Sequence, residues 1–193
     1  MEPNDTPTSH EESLQIINRM IDTARQHISD NGFHLLWWGW LVLIAALLQY
    51  ALDRFTSFEQ PFLSWLLMIP GAVVSFVYGR RQGRRAMVTS YTDQITLWAW
   101  VAVMISMIMV IVFGAKINYQ ITPLVLLFAG NATFITGWLL RFRPVRLGAT
   151  ALWGSAIAGF LVSPAEQPLV MAIAICLGYL WPGYLLRAHY RNQ

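Results

Sequence analysis

Apolar residues in this chain come in long runs, and charged residues are confined to the stretches between them. Six runs stand out: Leu35–Leu52, Pro61–Tyr78, Ile95–Phe113, Thr122–Leu140, Leu147–Val162 and Pro168–Leu186. Most are 18 or 19 residues long. At ~1.5 Å rise per residue each covers about 27 to 29 Å as a helix, close to the hydrocarbon thickness of a bilayer. The fifth run has 16 residues, so its ends are expected in the interface, or the bilayer thins around it. Backbone amides in lipid must be satisfied within their own segment, which selects helices, and runs of this length do not fit the alternating ~10-residue strands of a barrel. The pattern predicts an all-α membrane protein with six transmembrane helices inside residues 33–187, followed by a short tail at 188–193.

A different periodicity precedes the first run. Residues 1–8 are polar with two prolines and read as a disordered tail. Ser9-His10-Glu11-Glu12 has the capping-box pattern that opens a helix. Leu14, Ile17, Met20, Ile21, Ala24 and Ile28 then recur at i, i+3, i+4, i+7, and Asn31-Gly32 is the expected stop. Residues 9–32 are thus predicted to form a separate amphipathic helix. Its polar face holds Glu11, Glu12, Asp22 and Asp30 beside Arg19 and Arg25. A helix adsorbed on anionic lipid would be rich in Lys and Arg, so this acidic one is expected to contact the basic loops or a protein partner. No apolar core opens the first 33 residues, so no signal peptide is read there.

Charge supplies the orientation. Charged residues make up 12% of the chain and hydrophobic ones 56%, against about 25% charged in soluble domains, which excludes a soluble globular fold. With the N-terminus cytoplasmic, the inner side holds Arg19, Arg25, Arg80, Arg81, Arg84, Arg85, Arg141, Arg143, Arg146, Arg187 and Arg191, and the outer side only Arg54 and Lys116. That asymmetry follows the positive-inside rule. Both termini are expected in the cytoplasm of a bacterial cell with the spans in its inner membrane. The loop arginines Arg80, Arg81, Arg84 and Arg85 are candidates for contact with lipid headgroups or a partner.

The even-numbered runs open alike, with Gln60-Pro61, Thr122-Pro123 and Gln167-Pro168, and the odd ones open on Leu36-Trp37-Trp38-Gly39-Trp40, Leu97-Trp98-Ala99-Trp100 and Leu152-Trp153-Gly154. Three tandem helical hairpins would explain this, though prolines at helix starts and interfacial tryptophans would produce the same signature without a repeat. Small residues recur every four positions in the fifth run (Ala151, Ser155, Gly159 and Thr150, Gly154, Ala158). Such faces allow close helix approach and place this helix centrally; a homo-oligomer seam is the alternative use.

Chemistry is sparse. No Asp, Glu, Lys, Arg or His lies within the central part of a span, which weighs against a proton-coupled transporter, a pump or an ion-selective pore. Ser155 has no intramembrane histidine to activate it, and no acid pair exists for intramembrane proteolysis. The single cysteine, Cys176, and the scattered His10, His27, His34 and His189 give no ligand-spaced set. No metal, cofactor or nucleic acid is expected. The soft candidates are helix breaks at Pro70-Gly71, Gly130-Asn131 and Pro182, which mark midplane sites in some repeat transporters. With them goes a one-sided set of indoles, Trp37, Trp38, Trp40, Trp98, Trp100, Trp138, Trp153 and Trp181, of which Trp37, Trp38, Trp98, Trp100 and Trp138 with Asn131 could line a vestibule for an apolar or cationic small molecule.

The stretch from Leu14-Gln15-Ile16-Ile17-Asn18-Arg19-Met20-Ile21 through Asn31-Gly32-Phe33 to Leu36-Trp37-Trp38-Gly39-Trp40-Leu41 resembles the opening of small uncharacterised bacterial six-span membrane proteins with an N-terminal amphipathic helix. The likeness covers about the first quarter of the chain and carries over no functional residue. The layout is also similar to that of six-span acid-stress membrane proteins, in layout only. The leading expectation is a non-enzymatic membrane scaffold or regulatory protein, with lipids around it and a protein partner at its cytoplasmic face. The alternative is an uncoupled carrier or binding protein using the indole vestibule.

Overall fold

A computed structural model describes residues 10–83 and 91–191, with side chains over 32–80 and 94–189. The expected tail 1–8 and the loop residues Arg84 and Arg85 lie outside the described residues, as does the side chain of Arg81. Every described element is helical: α1 (His10–Phe55), α2 (Met68–Gly83) entered through a 3₁₀ stretch Pro61–Leu67, α3 (Tyr91–Val112), α4 (Ile121–Leu139), α5 (Arg143–Leu161), α6 (Gln167–Ile175), and α7 (Trp181–Arg191), joined to α6 by a π-helical segment Cys176–Leu180. Five helical stretches are long and apolar enough to cross a membrane: Gly32–Phe55, Pro61–Arg80, Gln94–Val112, Ile121–Leu139 and Gln167–His189. The sixth expected span falls on α5. That helix forms with 19 residues, but Arg143, Arg146 and its many Gly, Ala, Ser and Thr residues dilute its apolarity, and it is not among the five.

The expected stop at Asn31-Gly32 is not used. α1 runs unbroken for 46 residues, and no glycine among the described residues has the positive φ of a helix C-cap. Gly32 instead faces α7: a Cβ placed on it would stand 3.6 Å from the Leu186 side chain. A glycine read as punctuation is here a crossing point. The capping-box residue Ser9 lies outside the described residues, and α1 opens at His10.

α5 is central. Val145, Gly148, Ala149, Leu152, Ala156 and Gly159 form its buried stripe, and it packs on α4, α6, the π segment and α7. Of its two small-residue rows, Gly159 is buried and seated on Pro123 of α4, whereas Thr150, Gly154 and Ala158 are exposed. α1 packs along α6, the π segment and α7, and on the 3₁₀ entry to α2; α3 packs on α4. The core joins Leu43 and Ala46 of α1 to Leu126 and Ala129 of α4, Leu152 and Ala156 of α5, and Met171, Ile175 and Tyr179 of α6 and the π segment. α2 and α3 are peripheral, with 11% and 6% of their most apolar windows buried, against 44% for α4 and 56% for the Gln167–His189 stretch.

Candidate functional site

Three contacts gather the arginine-bearing helix ends. Phe33 of α1 stacks on Tyr78 of α2 at 4.5 Å between ring centroids, Phe142 before α5 meets His189 of α7 at 5.7 Å, and Gly32 lies within van der Waals reach of Leu186 and the Arg187 backbone. Partner numbers fall as α1 numbers rise (Gly32 to Leu186, Gly39 to Leu180), so α1 and α7 run antiparallel. Arg80, Arg141, Arg143, Arg146 and Arg187 therefore belong to one end of the molecule. Gln120 and Gln167 join the starts of α4 and α6 at the other end, where buried Gln167 donates through Nε2 to the Gln120 side-chain carbonyl at 2.7 Å and to the Gly159 carbonyl at 3.4 Å.

The expected helix breaks are crossing points. Pro70 sits in the first turn of α2, where a missing N–H costs little, and the preceding 3₁₀ stretch carries the change of pitch. The carbonyl of Gly71 accepts a hydrogen bond from the Trp37 indole at 3.2 Å, and a Cβ on Gly71 would fall against a Leu41 methyl. Gly130 is covered by the Trp153 ring, whose indole N–H donates to the Asn131 side-chain carbonyl at 3.1 Å, and α4 passes through Gly130-Asn131 unbroken. Pro182 is buried beyond the π segment. Proline cannot donate to the carbonyl one turn back, which is Gly178 at α-helical spacing, and that oxygen instead faces Gly148 of α5, 2.6 Å from the position a Cβ would take. The widened turn and two glycines let α5 and the α6–α7 helix approach at backbone distance, a geometry that suits a Cα–H···O contact.

The indoles have separate surroundings. Trp37 is half-buried between α1 and α2 and stacks on Phe33. Trp38 is half-buried as well. Trp98 is 68% exposed, whereas Trp100 packs against the core. Trp138 is exposed on α4, edge-on to Phe134 and beneath the guanidinium of Arg146, 4.6 Å from its ring centroid. Trp40, in the same opening motif as Trp37 and Trp38, is exposed and donates to the Tyr184 hydroxyl at 3.1 Å. A shallow concavity of about 400 Å³ is lined by Ser57, Phe58, Glu59 and Gln60 in the loop after α1, away from these indoles in the chain.

Two features escaped the sequence. Tyr179, on the π segment, is buried and shares a side-chain hydrogen bond with buried Thr133 of α4, which itself donates to the Ala129 carbonyl at 2.7 Å. The other is the turn between α4 and α5. Its Phe142 N–H reaches back to the Gly137 carbonyl at 3.2 Å and its Arg141 N–H to Trp138 at 3.1 Å, with Arg141 in the left-handed region at φ 52°. This is a Schellman closure with arginine where glycine is usual, and it starts α5 over the Gly137 backbone. The Arg146 Nε is buried there with no hydrogen-bond partner. The spacing of Trp138, Arg141, Arg143 and Arg146 around one turn was the available signal. Arg80, by contrast, lies over the Phe76 ring of its own helix at 5.8 Å.

Comparison with protein families, with curated proteins and with solved structures finds no match to this chain.

Proposed function

We propose that this protein is a non-enzymatic integral scaffold of the bacterial inner membrane that engages a protein partner through residues 9–32. In this reading six helices cross the bilayer as three hairpins, α5 being the sixth crossing, and both termini are cytoplasmic. The pairings of α1 with the entry to α2, of α3 with α4, and of α5 with α6–α7 are those the hairpins require, while α4 packs most extensively on α5 and α1 also packs along α6–α7, across the hairpin boundaries. The gathering of arginine-bearing ends supports the orientation.

The observation that carries the scaffold reading is α1 itself. Forty-six helical residues measure about 69 Å, more than twice the hydrocarbon thickness. The apolar stretch begins at Gly32, so residues 10–31 continue the same helix by about 33 Å. Their 3–4 spaced apolar stripe is of the kind that packs into a groove or against another helix. The carrier alternative needs the break residues and indoles free for a ligand, whereas Trp37 and Gly71 are joined to each other, and so are Trp153 and Asn131.

A photo-crosslinking amino acid placed singly at Ile17, Ile21, Arg19 or Gln26 in cells tests the proposal. The expected result is one discrete protein adduct from positions 17 and 21 and none from 19 and 26. Equal adducts at all four positions, or lipid adducts alone, would refute a partner-binding face.

A further inference from the structure

The turn between α4 and α5 joins several features that act on the same chemistry. Arg141, Arg143 and Arg146 lie within six residues, and Arg141 and Arg143 are exposed. The carboxylates among the described side chains are Asp53, in the last turn of α1, and Glu59 and Glu166, in the loops after α1 and α5 at the opposite end, and no ion pair to these arginines is present among the described residues. The first turn of α5 carries no acidic residue and its N-cap, Phe142, offers no capping side chain, so the positive end of that helix adds to the arginines. The Arg146 Cζ stands 4.6 Å from the centroid of the exposed Trp138 ring, a cation–π contact that restrains the guanidinium. Its Nε is shut away from solvent without an acceptor, so a fork offered to a ligand is made by the two Nη groups.

We infer that this turn is a binding site for the phosphate of an anionic phospholipid headgroup, with Arg146, held on Trp138, as the fork that grips it and Arg143 and Arg141 as flanking charges. The inference rests on the membrane reading of the chain and is independent of any protein partner of residues 9–32. A planar guanidinium meets phosphate through two parallel N–H donors, whereas a lysine offers a point charge. An aromatic ring at the membrane interface seats the glycerol and acyl start of a lipid beside it. Lipid is chosen over a free anion because Trp138, Leu147 and Ile135, on the same two helix ends, are large apolar residues exposed at 58%, 56% and 40%, so in the membrane reading acyl chains already lie beside these arginines.

The test is native mass spectrometry of the full chain in detergent, titrated with phosphatidylglycerol, phosphatidylcholine or inorganic phosphate. Wild type is compared with Arg146→Lys, Arg146→Gln, Arg143→Gln and Arg80→Gln. Wild type should retain phosphatidylglycerol over phosphatidylcholine. Each charge-removing change at 143 or 146 should lower that retention about fivefold, the effect of one interfacial charge, and Arg146→Lys should restore little of it. Arg80→Gln should change it less than twofold. Equal retention of the two lipids, equal loss in Arg80→Gln, or full retention in Arg143→Gln would overturn the site. So would displacement of phosphatidylglycerol by millimolar inorganic phosphate, which would assign the turn to a soluble anion. Arg143 is exposed at the first position of α5, so its variant remains informative where a change at Arg146 impairs folding.

Discussion

Glycines decide more of this structure than charges do, and their roles divide by what a single methyl group would meet. At Gly148 a Cβ would press to 2.6 Å from the Gly178 carbonyl oxygen and 3.0 Å from Pro182. Neither neighbour is the end of a flexible side chain, so the helices must move apart. Gly154, one and a half turns further on, has nothing within 4 Å. Gly148→Ala is therefore expected to destabilise by about 1 to 3 kcal/mol, the usual range for overpacking. Gly154→Ala should be neutral or gain up to about 1 kcal/mol, since alanine is the better helix former. Thermal unfolding of the two variants in one detergent reads the difference, and equal midpoints would show that the α5 crossing is looser than described. From sequence Gly154 belongs to a small-residue row and Gly148 does not. What separates them, the π turn and Pro182 lying opposite only one of them, is a tertiary fact.

The elements were legible where burial and length agree. The runs that became α1, α2, α3, α4 and the α6–α7 stretch are uniformly apolar, and periodicity in a bilayer leaves them one conformation. The Asn31-Gly32 boundary failed because the signal for a helix end and the signal for a close helix crossing are the same residue. A chain that stops at glycine needs φ > 0 there, where alanine is strained; a chain that passes through needs only the missing side chain. Gly32→Ala distinguishes these directly. With the continuous α1, its methyl would stand at ordinary contact distance, 3.6 Å from Leu186, and the substitution should hold or raise stability by up to about 1 kcal/mol. Gly39→Ala, whose methyl would meet Leu180 at 2.8 Å, should lower it. Circular dichroism melts report both, and loss of stability in Gly32→Ala equal to that in Gly39→Ala would favour a helix end at Gly32. The candidate indole site shows the same ambiguity: Trp37 and Trp153 are placed by the carbonyls of Gly71 and Asn131, partners on other helices that no spacing along the chain reveals.

At the scale of the molecule, the arrangement is a tight centre of α1, α4, α5 and α6–α7 with α2 and α3 laid against it, their apolar faces open. In water those faces would demand a cover; in a bilayer lipid tails supply it, and the driving force for helix association falls to packing and hydrogen bonds. This is why α5, which is not apolar enough to stand among the five spans, is central, its small residues admitting neighbours on several sides while the oil-like α3 stays outside. The same logic fixes the sidedness test. If α5 crosses with the others, the loop after α4 and the loop after α5 must face opposite compartments, and the single native cysteine, the exposed Cys176, has to be replaced first. In a Cys176→Ala background, single cysteines at Gln82, Asn118, Phe142 and Ala165 are labelled with an impermeant maleimide in intact spheroplasts. Positions 118 and 165 are expected to react, and positions 82 and 142 only after the membrane is opened. Reaction of 142 and 165 from the same side would make α5 a helix that dips into the bilayer without crossing it. That outcome would leave five crossings and place the two termini on opposite sides.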